Sequence, residues 1–423
     1  LALNQNPAFR ATLDTEDAMR ARLNQVRAAW FPKIDVHQDF TRGNNPVYVF
    51  GSKLMQRQFR TTDFALNKLN TPTPLDNFQT RLDGQWMLFD SGQTLFQQRS
   101  AKRLVTGADF EMEQARQDLI LEVVRSYYGV LVLRESAQAS DRAFQTAEAS
   151  AQRIESMHKA GLVVDSDFLS AKVFVAQMKD RQIRAHNDVA LAEMQLARQM
   201  GMPLDSSVEP AGKLAEPVAA PRTIQDWTHT AFEERPVLRA AQLQQDAMEQ
   251  DRKARVAEFG PKFALFGGVE RDAMALGGPS GTNWTAGARL DFNVFAGGAQ
   301  RARVAEAAAM TSKAKHDVEW LRAGVQMEVR KAYLDANAAS QRADAARSAS
   351  EQARDSLRIV QNRYEAGLTT LTELLRAQTA QLDATTGYLA AVQDWQVANA
   401  QLERAAGVLT PGSELIRGSA VQP

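Results

Sequence analysis

The chain has no cysteine, which excludes disulfides and thiolate metal sites and fits an oxidising compartment. It has no excess charge either. Its 50 Lys and Arg balance 50 Asp and Glu, so nothing points to nucleic acid as a partner. It has no run of about 18 apolar residues, so no transmembrane helix is expected. No glycine-rich loop leads into Lys-Ser/Thr, and neither a nucleophile elbow nor His-Glu-x-x-His occurs. The five histidines (His37, His158, His186, His229 and His316) are scattered without ligand spacing and are expected on the surface or facing a lumen. The expectation is a non-enzyme with no cofactor and no metal.

What the chain does have is a duplication. Met157-His158-Lys159-Ala160-Gly161-Leu162 is echoed by Arg363-Tyr364-Glu365-Ala366-Gly367-Leu368, with the glycines 206 residues apart. The same offset relates Asp167 to Glu373, Phe89 to Phe295, Tyr127 to Tyr333 and Gly201 to Gly407. Upstream it becomes 229, relating Asn6-Pro7 to Arg235-Pro236 and Pro32-Lys33 to Pro261-Lys262, so the first copy carries 23 extra residues. A repeat this long is a duplicated half-domain, since solenoid units recur every ~20–50 residues. The first repeat is assigned to 1–207, with a helix at 2–30, a β-hairpin at 32–90, a long helix at 92–159 and a helix at 166–200. An irregular linker, 208–226, leads to the second repeat, 227–407. That repeat has a helix at 227–259, a hairpin at 261–296, a long helix at 298–365 and a helix at 371–406, and an irregular tail, 408–423, follows. Leu1 falls within what the second copy marks as a helix start, so a signal peptide is expected to have been removed or left out.

After Pro32 the hydrophobic period drops to two. Ile34, Val36 and Phe40 alternate with Lys33, Asp35, His37 and Asp39, and Phe78 to Phe89 repeats the pattern. The second copy supplies Phe263, Leu265 and Val269, then Trp284 through Val294. These are four strands in two hairpins, of a length suited to crossing a membrane at a tilt. A soluble sheet with one wet face has the same alternation. Large aromatics expected at strand ends (Phe40, Trp86, Trp284, Phe292), and the lack of a spare amphipathic helix, favour lipid on the apolar face. The segment 43–77 is expected to be a long hairpin loop acting as an external lid.

Between Gly92 and Gly161 there is no proline, and Leu119, Val123, Tyr127 and Val130 recur at helical spacing. Such a helix would extend about 100 Å at 1.5 Å per residue. Alanine-rich faces (Ala305 to Ala309, Ala343, Ala345, Ala346, Ala349) permit close coiled-coil packing. An isolated coiled coil is the other reading of these segments. Four strands cannot close a barrel, which needs about eight. An open edge in lipid leaves backbone groups unpaired at several kcal/mol each. If the strands lie in a membrane, copies of the chain must assemble around an axis.

In order and in duplicate, these features resemble the outer membrane efflux protein family, the TolC-like channels. The resemblance rests on the two Ala-Gly-Leu turns with an acid six residues on, the Asn-Pro opening and the Pro-Lys strand starts. It rests also on Leu88-Phe89-Asp90-Ser91-Gly92 with Val294-Phe295-Ala296-Gly297-Gly298. It implies an α+β membrane protein: a homotrimer whose four strands per protomer complete a twelve-stranded outer-membrane barrel, continued by a long antiparallel α-helical barrel in the periplasm. The closed periplasmic tip opens on docking to a periplasmic adaptor (membrane fusion protein) and an inner-membrane pump. The implied function is the exit duct of a tripartite efflux or type I secretion system in a Gram-negative outer membrane. The competing reading is a non-channel periplasmic coiled-coil adaptor or scaffold.

On that resemblance the tips Ala160-Gly161-Leu162 and Ala366-Gly367-Leu368 meet the adaptor, or are only helix-hairpin turns. Three copies of Glu373 on the inner face of a trimeric tube would form a carboxylate ring favouring cations. Relatives carry a second acid three residues on. Here Arg376 stands there, so a Glu373–Arg376 pairing within or between chains is the alternative. Tyr364 and Asp167 match positions that bond neighbouring helices in the closed state, and Thr369 replaces an arginine of some relatives, weakening that latch. Solvated charge or helix capping is the other reading of Glu373 and Asp167.

Overall fold

The computed structural model describes residues 1–206, 208, 210, 212, 214 and 222–413. In chain order the elements are α1 (Ala2–Gln5), α2 (Pro7–Arg27), β1 (Lys33–Gly43), α3 (Pro46–Met55), α4 (Leu66–Asn70), β2 (Leu75–Phe89), α5 (Gln93–Lys159) and α6 (Asp165–Met200). There follow α7 (Ile224–Glu234), α8 (Pro236–Ala257), β3 (Lys262–Ala273), β4 (Ser280–Asp291), α9 (Ala299–Glu365) and α10 (Leu371–Ala405). The chain divides into two compact units, one of Asp17–Thr106 with Gln242–His316, the other of the remaining segments. Of the segments expected to be irregular, Pro217, Pro221 and residues 414–423 lie outside the described residues.

The first unit holds one antiparallel sheet in the order β1-β2-β3-β4. Its register sorts side chains into ranks. Val36, Leu82, Val269 and Trp284 pair across all four strands, while the neighbouring rank, His37, Arg81, Glu270 and Asn283, points to the other face. The apolar rank is uncovered: Val36 is 69% exposed and Trp284 76%. Trp284, expected at a strand end, thus sits within the apolar rank. The segment expected to be a long hairpin loop acting as an external lid, 43–77, is partly helical. Asn45 caps α3 by accepting from the Val47 and Tyr48 amides, and Pro46 follows at the first helical position, where its missing N–H costs nothing.

The second unit is built on α6, α7 and α10 with most of α5 and α9. In α9 the buried residues Val325, Val329, Ala332, Ala336, Ala339 and Ala343 recur at alternating spacings of four and three, the seam of a coiled coil. Ala345 and Ala349 stay exposed, as do Ala305, Ala308 and Ala309. The stripe expected on α5 is really two. Ile120, Leu121, Val124 and Tyr128 pack with Ala400 of α10, while Val130 packs with Ala192 and Leu196 of α6, because α5 has a helix on each side.

The helices expected at 2–30 and 227–259 are each broken. Asn6 (φ −63°, ψ 121°) separates α1 from α2, and Arg235 (φ −63°, ψ 115°) separates α7 from α8. Both precede proline, whose ring pushes the residue before it out of the helical region. Each break packs on a helix end. The Asn6 side chain donates to the Gln199 carbonyl at 2.9 Å, and Arg235 Nη1 donates to that of Arg404 at 2.8 Å. Gly201 and Gly407 end α6 and α10 with φ of 72° and 80°. A Cβ at Gly201 would come within 2.5 Å of the Gln5 backbone, and one at Gly407 within 2.7 Å of Arg235 Cα.

Candidate functional site

The candidate site is the tip where α5 turns into α6 and α9 into α10. Both long helices stop in the same way. Gly161 and Gly367 take φ of 72° and 71°, a left-handed backbone that glycine adopts without penalty. The Leu162 amide donates to the Met157 carbonyl and the Gly161 amide to that of His158. Leu368 and Gly367 do the same to Arg363 and Tyr364. This paired closure satisfies carbonyls that a helix end otherwise leaves bare. A Cβ on either glycine would meet nothing within 4 Å, so only the backbone angle requires glycine there. Ala160 and Ala366 are exposed in the turns, and Leu162 and Leu368 are 72% and 68% exposed.

The returning helices start differently. Thr370 caps α10, its hydroxyl accepting from the Glu373 amide at 3.3 Å. Val164, at the matching place before α6, has no side-chain cap. Glu373 therefore occupies the third helical position, where the helix dipole favours a negative charge. Its carboxylate also pairs with Arg376 Nη1 at 3.2 Å within the chain. Asp167 holds the same place in α6. Its charge acts on Tyr364, which packs against a cluster of Ile154, Ala171, Leu371 and Leu374. Burial, then Asp167, pushes the Tyr364 phenol above its usual value, and Arg153 opposes them. Thr369 is half-buried just before the cap. The tip thus holds two groups, Glu373 with Arg376 and Tyr364 with Asp167. Among the described residues no hydrogen bond or ion pair links them.

Three features have no sequence signal because their partners are far apart or set by packing. Arg153 of α5 pairs with Glu365 of α9 at 3.1 Å, and Arg181 of α6 with Asp383 of α10 at 2.6 Å. His158 stacks on Phe168, with ring centres 4.7 Å apart, and its Nε2 lies 2.6 Å from an Asp165 oxygen. Above the tip, a groove of about 620 Å³ runs between α6 and α10, lined by Leu169, Val173, Leu375 and Asp383 among others. Thr370-x-x-Glu373, by contrast, is a capping pattern legible in the sequence.

No described helix is long and apolar enough to cross a membrane. Among the described residues no group of histidines and carboxylates could hold a metal ion. Residues 1–202 and 227–408 match the family described as outer membrane efflux protein. The chain belongs to that family. Membership makes it a TolC-like transport channel component of a Gram-negative outer membrane. It is 24% identical to the alkaline protease secretion protein AprF of Pseudomonas aeruginosa over 419 residues, 97% of this chain and 83% of that protein. It is 27% identical to protein CyaE of Bordetella pertussis over 303 residues, 71% of this chain but only 64% of that protein's length. The fold matches the crystal structure of the Campylobacter jejuni CmeC outer membrane channel with a TM-score of 0.77 at 15% identity, covering 99% of this chain and 86% of that one. Among the described residues the efflux-family chain is mostly helical with one small four-stranded antiparallel sheet.

Proposed function

We propose that three copies of this chain form a passive exit duct, each giving four strands to a twelve-stranded outer-membrane barrel and its long helices to a periplasmic tube. The observation that carries this is the sheet. β1 and β4 are both edge strands, and an uncovered apolar face lies between them. In lipid each unpaired backbone group at an open edge costs several kcal/mol, and joining β4 of one copy to β1 of the next removes the edges. The apolar face supports the same reading. From Phe263 to Ala273, ten residue steps span about 34 Å at ~3.4 Å each, or about 26 Å tall at a tilt of ~40°, close to the apolar band of outer-membrane barrels. The two repeats are an internal duplication of one half-protomer.

The duct serves a tripartite efflux or type I secretion system, fed by a periplasmic adaptor and an inner-membrane pump. Similarity to a secretion protein over nearly the whole chain supports the secretion branch. The exposed tips Ala160-Gly161-Leu162 and Ala366-Gly367-Leu368 are the adaptor contacts. The gate comprises Glu373, Arg376, Asp167, Tyr364 and Thr369. Because Arg376 pairs with Glu373, the proposed ring is a set of three ion pairs rather than three bare carboxylates. Cation preference is then weak in the native channel and grows when Arg376 is removed.

Reconstitution in planar bilayers tests this. The purified chain should be a trimer with discrete conductance, and Arg376→Ala should raise cation over anion permeability while Glu373→Gln lowers it. A water-soluble monomer without conductance would overturn the duct. A conducting trimer whose selectivity ignores both substitutions would remove Glu373 and Arg376 from the gate.

A further inference from the structure

Residues 44–74, which join β1 to β2, do not stand away from the sheet. α3 turns Val49 and Ser52 inward, where they are buried with Gln56 at its C-terminal cap, and leaves Val47, Phe50 and Leu54 exposed by 82%, 36% and 49%. The landing place of α3 follows from the backbone. A Cβ on Gly281 would collide with the Met55 carbonyl oxygen, and Gly281 pairs with Asp272, so the end of α3 lies on the polar face of the sheet. Hydrogen bonds pin it there. Gln56 Nε2 donates to the Asp76 carbonyl (2.9 Å) and to Asn77 Oδ1 (2.8 Å), Asn77 Nδ2 donates to Asp272 Oδ1 (2.7 Å), and Arg57 donates to the Thr282 carbonyl (2.8 Å). Charge agrees with this seat. Lys53, Arg57, Arg60 and Lys68 against Asp63 give the segment a net charge of 4 − 1 = +3, and the polar face of the sheet carries Asp39, Glu270 and Asp272 along with Arg81, which is paired with Asp83.

We infer that this segment is a plug at the outer end of the duct, three copies meeting across the axis through Val47, Phe50 and Leu54. The inference rests on the trimeric duct proposed above. The occupant of the exposed stripe is a second copy rather than lipid, because α3 is pinned to the face opposite the apolar rank of Val36, Leu82, Val269 and Trp284. A stripe on the lumen side meets only water or its own counterpart. An apolar constriction of this kind shuts by dewetting and opens when cargo pushes the segments apart.

The absence of native cysteine makes the test clean. Val47→Cys and Leu54→Cys are each introduced into the full chain, reconstituted in lipid bilayers and oxidised with copper phenanthroline. The expected result is covalent dimers and a conductance loss of about threefold or more that a reductant reverses. In a second variant, residues 44–74 are replaced by Gly-Gly-Pro-Ser-Gly, the turn at 277–281. It should conduct about twofold or more above the native chain. A conducting trimer in which neither cysteine cross-links and the shortened loop leaves conductance unchanged overturns the plug and leaves the duct standing. Loss of trimer and conductance in the native chain itself removes the duct, and the plug with it.

Discussion

Four long helices end on glycine, but the cost of adding a methyl group should differ sharply between tip and base. At Gly367 only the backbone is at issue. Holding alanine in the left-handed region costs about 1–2 kcal/mol. Alanine also restricts the unfolded chain, which offsets roughly 0.4–1 kcal/mol. Gly367→Ala therefore nets about 0.5–1 kcal/mol, a two- to fivefold rise in local opening. Gly407 has nearly the same angle, 80° against 71°, but its Cβ would lie 2.7 Å from Arg235 Cα and 2.8 Å from the Glu234 carbonyl. Neither is the flexible end of a side chain, so the backbone must shift, adding about 1–3 kcal/mol of overpacking. Gly407→Ala should then cost about 1.5–4 kcal/mol, a tenfold to nearly thousandfold rise in opening. Hydrogen exchange of peptides covering 360–372 and 400–410, measured in detergent, reads both sites in one experiment. Gly367→Asn should exchange more slowly than Gly367→Ala, since asparagine tolerates this backbone better. Equal acceleration at the two sites would refute the claim that the base of α10 is held by close approach.

Other outcomes follow from the charged joints. Arg235, 3% exposed, donates to the Arg404 carbonyl and to Glu328, which Arg404 also contacts. Burial pulls its guanidinium below its usual value and Glu328 opposes that. Arg235→Ala should destabilise by about 3–5 kcal/mol. Arg235→Met, which fills the space without burying a charge, should cost only about 1–2 kcal/mol for the hydrogen bonds lost, since the Gly407 amide still donates to the Arg404 carbonyl and Arg404 still pairs with Glu328. Thermal melting in detergent compares the two, and equal losses would mean that the lost charge contacts, not the lost volume, set the cost of removing Arg235. Hydrogen bonds from Gln182 and His186 hold the Asp141 carboxyl below its usual range. Its contribution is thus full above about pH 4 and is lost as the pH falls through the lowered value. Asp141→Asn should flatten the acid limb of stability between pH 5 and 2, followed by circular dichroism; an unchanged limb would show that the α5–α6 pairing does not titrate there.

Much of the fold and part of the site were legible because they depend on local chemistry. Ala-Gly-Leu ends a helix in any context, since the left-handed residue and its two hydrogen bonds involve only six consecutive positions. Alternation in Lys33 to Phe40 sorts the strand's faces for the same reason, and Thr370-x-x-Glu373 announces a cap. The breaks before Pro7 and Pro236 were also written in the sequence, but the surrounding helical pattern masked them. The pairing of α5 with helices on both sides was not legible, because the hydrophobic period reports that a face is buried and not what buries it.

Local chain grammar therefore determined where this protein turns, alternates and stops, and the ordered duplicate of those signals was enough to suggest its family. Tertiary structure alone decided which distant groups meet: Arg153 with Glu365, Arg235 with Glu328, and the long β1–β2 connection with the polar face at Gly281. Contacts between residues so far apart in the chain arise from the closing of the whole fold, and no short window of sequence carries the energy that selects them.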